Sequence, residues 1–144
     1  MTKAPEIVAK TLDSQPINIS EKYYGNNLLI LFYNNDCLGC TGRALPLAYK
    51  AMQEFKGIEV IGIHSSFGRA ITKEEIVEIF TSKELPFPIY LDEEHKAYDL
   101  YQCEGTPHWI IINKVGEMYR SFFGSQENTQ TRLWYSLSEL TQAD

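Results

Sequence analysis

The sequence is short of positive charge, of cysteine and of long apolar runs. Its 13 lysines and arginines are outnumbered by 19 aspartates and glutamates over 144 residues, for a formal net charge of −6. That balance argues against nucleic acid as a partner, since such binding needs a basic face to displace counterions. Three cysteines are too few, and too odd in number, for a disulfide scaffold. The longest aliphatic and aromatic run, Leu28 to Tyr33, has six residues. Roughly 20 are needed to span a bilayer, so no membrane partner is expected. The N-terminus, Met1-Thr2-Lys3-Ala4-Pro5-Glu6, lacks the apolar stretch of a signal peptide. The expected localisation is cytoplasmic, or periplasmic if a leader has been removed. No repeat, low-complexity tract or linker divides the chain. What is there fits one domain: residues 1–144, 44% apolar and 22% charged, are an ordinary globular composition with enough length for one core. A monomer is expected.

Residues 1–26 are polar and turn-rich and read as an N-terminal extension, with one short alternating stretch, Ile17-Asn18-Ile19, as an edge strand. Leu28 to Tyr33 reads as a strand buried on both faces. Leu45, Leu47, Ala48, Ala51, Met52 and Phe55 recur at helical spacing, with Gly57 as the closing cap. Ile58 to Ile63 is a second buried strand. Thr72 and Glu75 form a capping box for a helix carrying Ile76, Val77, Ile79 and Phe80. Ile89 to Leu91 is a short strand, after which Asp92 caps a helix to about Tyr101. Trp109 to Ile112 is a strand, Asn113 to Gly116 a hairpin turn, and Met118 to Phe123 the antiparallel return. Thr129 opens a last helix with Leu133, Leu137 and Leu140 on one face. Alternating strands and helices predict an α/β fold: a parallel sheet with an antiparallel hairpin at its edge, covered by helices on both faces.

Between the first buried strand and its helix stands Cys37-Leu38-Gly39-Cys40. A thiol at a helix N-terminus faces unpaired N–H groups and the positive end of the helix dipole, which favour the nucleophilic thiolate. A second cysteine one turn on closes a small disulfide ring. The pattern suits two-step exchange, in which Cys37 attacks a disulfide and Cys40 resolves the mixed disulfide. Gly39 relieves crowding in the turn. Asp36 opposes the thiolate by its charge, and Arg43, in the first helical turn, is placed to offset it. Gly105-Thr106-Pro107 precedes a strand, and an X-Pro bond there is a candidate for cis. With the two long strands adjacent, Pro107 packs on the cysteine turn and Thr106 pairs with an incoming peptide as an added strand.

The set of strand, CxxC, Pro-containing helix, strand, helical excursion, Gly-Thr-Pro, strand, hairpin and helix resembles the thioredoxin superfamily. The additional αβα segment around 72–101 resembles its TlpA/ResA-like, or redoxin, branch. The likeness covers roughly residues 27–143, the expected core. It implies a thioredoxin-like three-layer α/β/α sandwich with a mixed central sheet. It implies a thiol-disulfide oxidoreductase, a protein-disulfide reductase in a reducing cytosol. Cys37 is then the attacking thiol, Cys40 the resolving thiol, Pro107 the cis-proline and Pro46 the helix-kinking proline. The Cys37–Cys40 disulfide is the redox centre, and no further cofactor is implied. Disulfides of proteins or small molecules and an electron-donor reductase are the implied partners. Several positions depart from the pattern. Asp36 stands where an apolar residue is usual. Pro46 follows Cys40 by six residues, where the family usually has five. Leu31 stands where thioredoxins often bury an aspartate, and Arg43, Ala44 and Leu45 supply no acid in the helix. The proton acceptor for Cys40 is therefore unassigned.

Two other activities compete. A peroxiredoxin-like peroxidase shares the fold, but its Pro-x-x-x-Thr-x-x-Cys pattern is missing, with Asn34 at the threonine position. A non-catalytic redox-sensing or binding module would use the same pair as a toggle. Cys103 reads as a small buried hydrophobe, with a regulatory or resolving thiol as its alternative. A zinc site would need Cys37, Cys40, Cys103 and His108, without the usual paired spacings, and no metal is expected. His108 follows Pro107 and is a candidate neighbour of the site. His64, at a strand end, is structural or close to the site. His95 is solvent-facing. The aromatic residues, Tyr33 among them, read as core or rim.

Overall fold

The computed structural model describes residues 1–142; residue 143, where the expected core ends, and residue 144 lie outside the described residues. Its strands are β1 (Val8–Lys10), β2 (Pro16–Asn18), β3 (Asn27–Tyr33), β4 (Ile58–Ser65), β5 (Ile89–Asp92), β6 (His108–Ile112) and β7 (Met118–Phe123). Its α-helices are α1 (Ile19–Tyr23), α2 (Leu45–Glu54), α3 (Lys73–Glu78), α4 (Lys96–Leu100) and α5 (Glu127–Gln142). A π-helical turn over Cys40–Ala44 precedes α2, and a 3-10 turn over Glu93–His95 precedes α4. The strands form one mixed sheet in the order β2-β1-β5-β4-β3-β6-β7. β3, β4 and β5 are parallel, whereas β6 runs antiparallel to β3 and β7 antiparallel to β6.

All seven positions of β3 are buried, because helices cover both faces of the sheet. Alternate residues go to opposite faces. Leu29, Leu31 and Tyr33 pack with Val60, Ile89, Trp109 and Ile111 under α2, α3 and α5. Leu28, Ile30 and Phe32 pack with Ile61, Ile63, Tyr90 and Ile110 against α1 and α4. The helices present small or aliphatic residues to these faces: Leu45, Ala48 and Ala51 from α2, and Leu133, Leu137 and Leu140 from α5. The three-layer α/β/α sandwich is thereby present.

Several local expectations shift. The last helix starts at Glu127 rather than Thr129, and the helix after Thr72 ends at Glu78, before Ile79 and Phe80. Residues 1–26 join the sheet: β1 pairs with β2, and Lys10 pairs with Leu91 of β5. The edge strand is Pro16–Asn18 rather than 17–19, since the Asn18 side chain accepts from the Glu21 N–H and starts α1 at Ile19. α2 ends at Glu54, and Phe55, extended at φ −110°, closes it in place of Gly57. Thr72 and Glu75 do form the capping box of α3. Asp92 caps α4 from a distance, across the 3-10 turn: its carboxylate accepts from the N–H groups of Ala97 at 2.8 Å and Tyr98 at 2.9 Å.

The spacing between Cys40 and Pro46 has a structural outcome. The Leu45 N–H bonds to the Cys40 carbonyl, five residues back, so the extra residue is taken up as one π turn. α2 then starts with Pro46 in its first turn, where no N–H is missed.

Candidate active site

Polar side chains end β3 and aim the loop that follows. Asn34 donates from Nδ2 to the Ser65 carbonyl at 2.8 Å, and its Oδ1 accepts from the Asp36 N–H at 2.8 Å. The Asn35 N–H donates to Nε2 of His64 at 3.1 Å, and its Nδ2 to the Glu75 carbonyl at 3.0 Å. Cys37 thus stands at the start of the helical segment, half-buried, with its carbonyl accepting from the Cys40 and Thr41 N–H groups, both at 3.1 Å. Cys40 is fully buried, at 0% exposure. Its N–H donates to Cys37 Sγ at 3.2 Å. Such a bond strengthens when the sulfur carries charge. Burial pushes the Cys40 thiol up to about 12, and its hydrogen bond to Cys37 acts in the same direction. Only one thiol of the pair therefore reaches solvent, and Leu38 beside it is 87% exposed.

The Thr106-Pro107 peptide bond is cis. The Cys37 thiol donates to the Thr106 carbonyl at 3.4 Å. A Cβ on Gly39 would come within 3.7 Å of Pro107 Cδ and 3.3 Å of Ser125 Oγ. The cysteine turn therefore lies directly on Pro107 and on the β7–α5 loop. That loop is tied to the proline in two ways: the Gly124 N–H donates to the Pro107 carbonyl, and Trp109 Nε1 donates to the Gly124 carbonyl, both at 2.8 Å.

His64 is buried at the end of β4, in register with Tyr33. Burial lowers it to about 4, against upward pulls from its own backbone carbonyl, Asp36 and Glu75, while Arg69 acts with the burial. The unfolded chain, with an ordinary histidine, binds the proton first as pH falls. The stability tied to neutral His64 is therefore complete above about pH 7 and lost toward pH 4. We expect this residue to account for about 2–3 kcal/mol of the acid destabilisation. Urea unfolding at pH 7 and pH 4 should show a drop smaller by that amount in His64→Gln. Burial lowers His108 too, and its share persists in the variant.

Cys37, Gly39, Cys40, Thr106 and Pro107 are brought together as expected. Asp36 is not offset by Arg43, which is exposed; Arg69 reaches it instead, at 3.7 Å, while also holding Glu75 at 2.9 Å. Cys103 and His108 lie on the other face of the sheet. Cys103 packs against the α1/α4 side, and burial pushes its thiol up to about 12. His108 pairs with Phe32, and its ring bonds to the Glu104 N–H at 3.3 Å and Ser121 Oγ at 2.9 Å. The four residues weighed as a zinc set do not converge, and among the described residues no cluster of three or more His, Cys, Asp or Glu is placed to hold a metal. Leu31 is apolar and buried in the cluster that contains Cys40. The sequence reading did not find Ser125, Arg69 or Asn35. The Asn34-Asn35 pair after the strand was a visible turn signal; Arg69 and Ser125 reach the site only through the fold. No described helix is long and apolar enough to cross a membrane.

The comparisons with known proteins agree with this geometry. The AhpC/TSA family model matches residues 1–123, so the match includes the N-terminal hairpin. Thiol-disulfide oxidoreductase ResA of Halalkalibacterium halodurans is 27% identical over 124 residues, which span 85% of this chain and 67% of that protein. A crystal structure of a thioredoxin-like superfamily protein superposes with a TM-score of 0.82 at 22% identity, covering 98% of this chain and 97% of the other. A putative thiol:disulfide interchange protein DsbE from Chlorobium tepidum gives 0.81 at 16% identity, with 97% and 96% covered. The structural likenesses carry the fold, and the family match carries membership: the chain belongs to the AhpC/TSA family, as a thioredoxin-superfamily redoxin of the ResA/TlpA kind.

Proposed function

We propose that the protein is a thiol-disulfide oxidoreductase whose Cys37–Cys40 pair exchanges with protein or small-molecule disulfides. The observation that carries this reading is the unequal exposure of two thiols joined through the Cys40 N–H, beside the Thr106-Pro107 bend. Cys37, the half-buried sulfur, attacks one sulfur of the substrate disulfide; that S–S bond breaks, and the leaving sulfur takes a proton. Cys40 then loses its proton and attacks Cys37 Sγ, releasing the second substrate thiol and leaving the Cys37–Cys40 disulfide. Two electrons pass from the pair to the substrate, and an external reductase returns them. The protein pair needs no other cofactor for this cycle. Thr106 and Pro107 form the edge against which a substrate backbone lies, with exposed Leu38 beside it. ResA being described as an oxidoreductase supports the same reading.

Insulin-disulfide reduction with dithiothreitol as donor tests it: repeated turnover is expected. A redox sensor would oxidise once and stop, and a peroxidase would consume hydrogen peroxide instead. Either result overturns the proposal. The direction of exchange follows from the potential of the pair. The expected cytoplasmic reductase requires a value near about −270 mV, while one near about −120 mV makes the protein an oxidant.

A further inference from the structure

Among the described residues, the buried side-chain polar atoms without a hydrogen-bond partner are the Tyr33 hydroxyl, His64 Nδ1 and Asn35 Oδ1. All three belong to one place, the ends of β3 and β4 beneath the cysteine turn. Folded proteins pair nearly all such atoms, so exceptions gathered at a single site need a reason. Tyr33 and His64 are opposite each other in the parallel register, with ring centroids 5.2 Å apart and planes at 85°. Alternation along the strands puts both on the α2 face, together with Leu31 and Cys40.

The hydrogen bonds decide what each group can do. His64 Nε2 accepts from the Asn35 N–H, so the neutral ring carries its hydrogen on Nδ1, the unpartnered atom. His64 is thereby held as a donor toward the buried interior. The Tyr33 hydroxyl is buried and unpartnered in the same cluster as Cys40, and burial holds the phenol in its protonated form. A phenol kept protonated is a donor and not a base. Cys40, for its part, is a fully buried thiol with an apolar Leu31 in its cluster and no carboxylate there, and burial holds it in the protonated form.

We propose that the Tyr33 hydroxyl, positioned by neutral His64, donates a hydrogen bond to the Cys40 sulfur while negative charge develops on it during resolution. Tyr33 keeps its own proton throughout. Cys40 Sγ gives up its proton to solvent water, its electron pair forms the bond to Cys37 Sγ, and the Cys37–substrate bond breaks. The departing substrate sulfur takes the bonding pair and is protonated from solvent at the mouth. This inference rests on the reading of Cys40 as the resolving thiol.

The test is the reaction of the reduced protein with 5,5′-dithiobis(2-nitrobenzoate), in a Cys103→Ala background. The first nitrothiobenzoate released reports attack by Cys37, and the second reports resolution by Cys40. Tyr33→Phe removes only an unpartnered oxygen. It should slow the second release about tenfold and move its pH midpoint upward, with the first release within about twofold of the parent. Should Tyr33→Phe fail to fold, His64→Gln, which keeps an acceptor for Asn35 but loses the Nδ1 hydrogen, should likewise slow the second release alone. A second release at the parental rate, or equal slowing of both releases, overturns the proposal. Cys40→Ser separates the two readings. Persistence of the second release in that variant would remove Cys40 from its resolving role and overturn the underlying reading, whatever Tyr33 does.

Discussion

Cys37→Ser should abolish disulfide exchange, by about a thousandfold or more, because an alcohol is a far weaker nucleophile toward a disulfide than a thiol and forms no disulfide itself. Among the described residues, no other thiol is placed to compensate. Cys40 is fully buried, and its proton is held more tightly by that burial. Cys103 packs on the opposite face of the sheet. The loss should therefore appear in single-turnover attack as well as in steady-state insulin reduction. Thermal unfolding should change little, since the thiol makes two weak bonds that a hydroxyl can also make: it donates to the Thr106 carbonyl at 3.4 Å and accepts from the Cys40 N–H at 3.2 Å. Activity that survives in Cys37→Ser would move the chemistry to another residue.

The largest stability effect should come from Trp109→Ala, at about 3–5 kcal/mol in urea unfolding. Trp109 is the largest fully buried side chain and lies in the cluster with Leu31, Ile111, Phe122 and Leu133. Truncation opens a cavity that strands β3, β6 and β7 cannot close without shifting. It also frees the Gly124 carbonyl from Nε1, and Gly124 is the residue whose N–H holds the Pro107 carbonyl. The variant should therefore lose exchange activity along with stability. Trp109→Phe keeps most of the volume and loses the hydrogen bond, and should cost less, about 1–2 kcal/mol. Equal losses in the two variants would mean that the indole N–H, rather than packing, carries the effect.

Why some elements are legible from residues alone, and others not, has a physical basis. Leu28 to Tyr33 and Ile58 to Ile63 announce strands because a sheet covered on both faces needs largely apolar runs, broken in the second only by the exposed Glu59 near its start. The capping box of Thr72 and Glu75 is a purely local signal, and it holds. The hairpin β1–β2 has only the short alternation at Ile17 to Ile19, and β1 itself carries no local signal. Its strands are three residues each, and what fixes them is pairing with distant Leu91. At the site, Cys37 and Cys40 are legible from spacing, and Pro107 from its place before a strand. Which residues surround them is a matter of parity. His108 is adjacent to Pro107 in sequence, yet alternation sends its side chain to the far face. Arg69 and Ser125 arrive from loops that only the assembled sheet brings to the cysteines. Tyr33 reads as core in both sequence and structure. Its hydroxyl stands out only once every buried polar atom has been asked for its partner.

The most direct test is to mix reduced Cys40→Ser with a disulfide substrate and map the adduct by peptide mass spectrometry. The mixed disulfide should accumulate at one equivalent per chain, carried on Cys37, with Cys103 unmodified. An adduct on Cys103, or no stable adduct, would contradict the assignment of Cys37 as attacking thiol and Cys40 as its resolving partner.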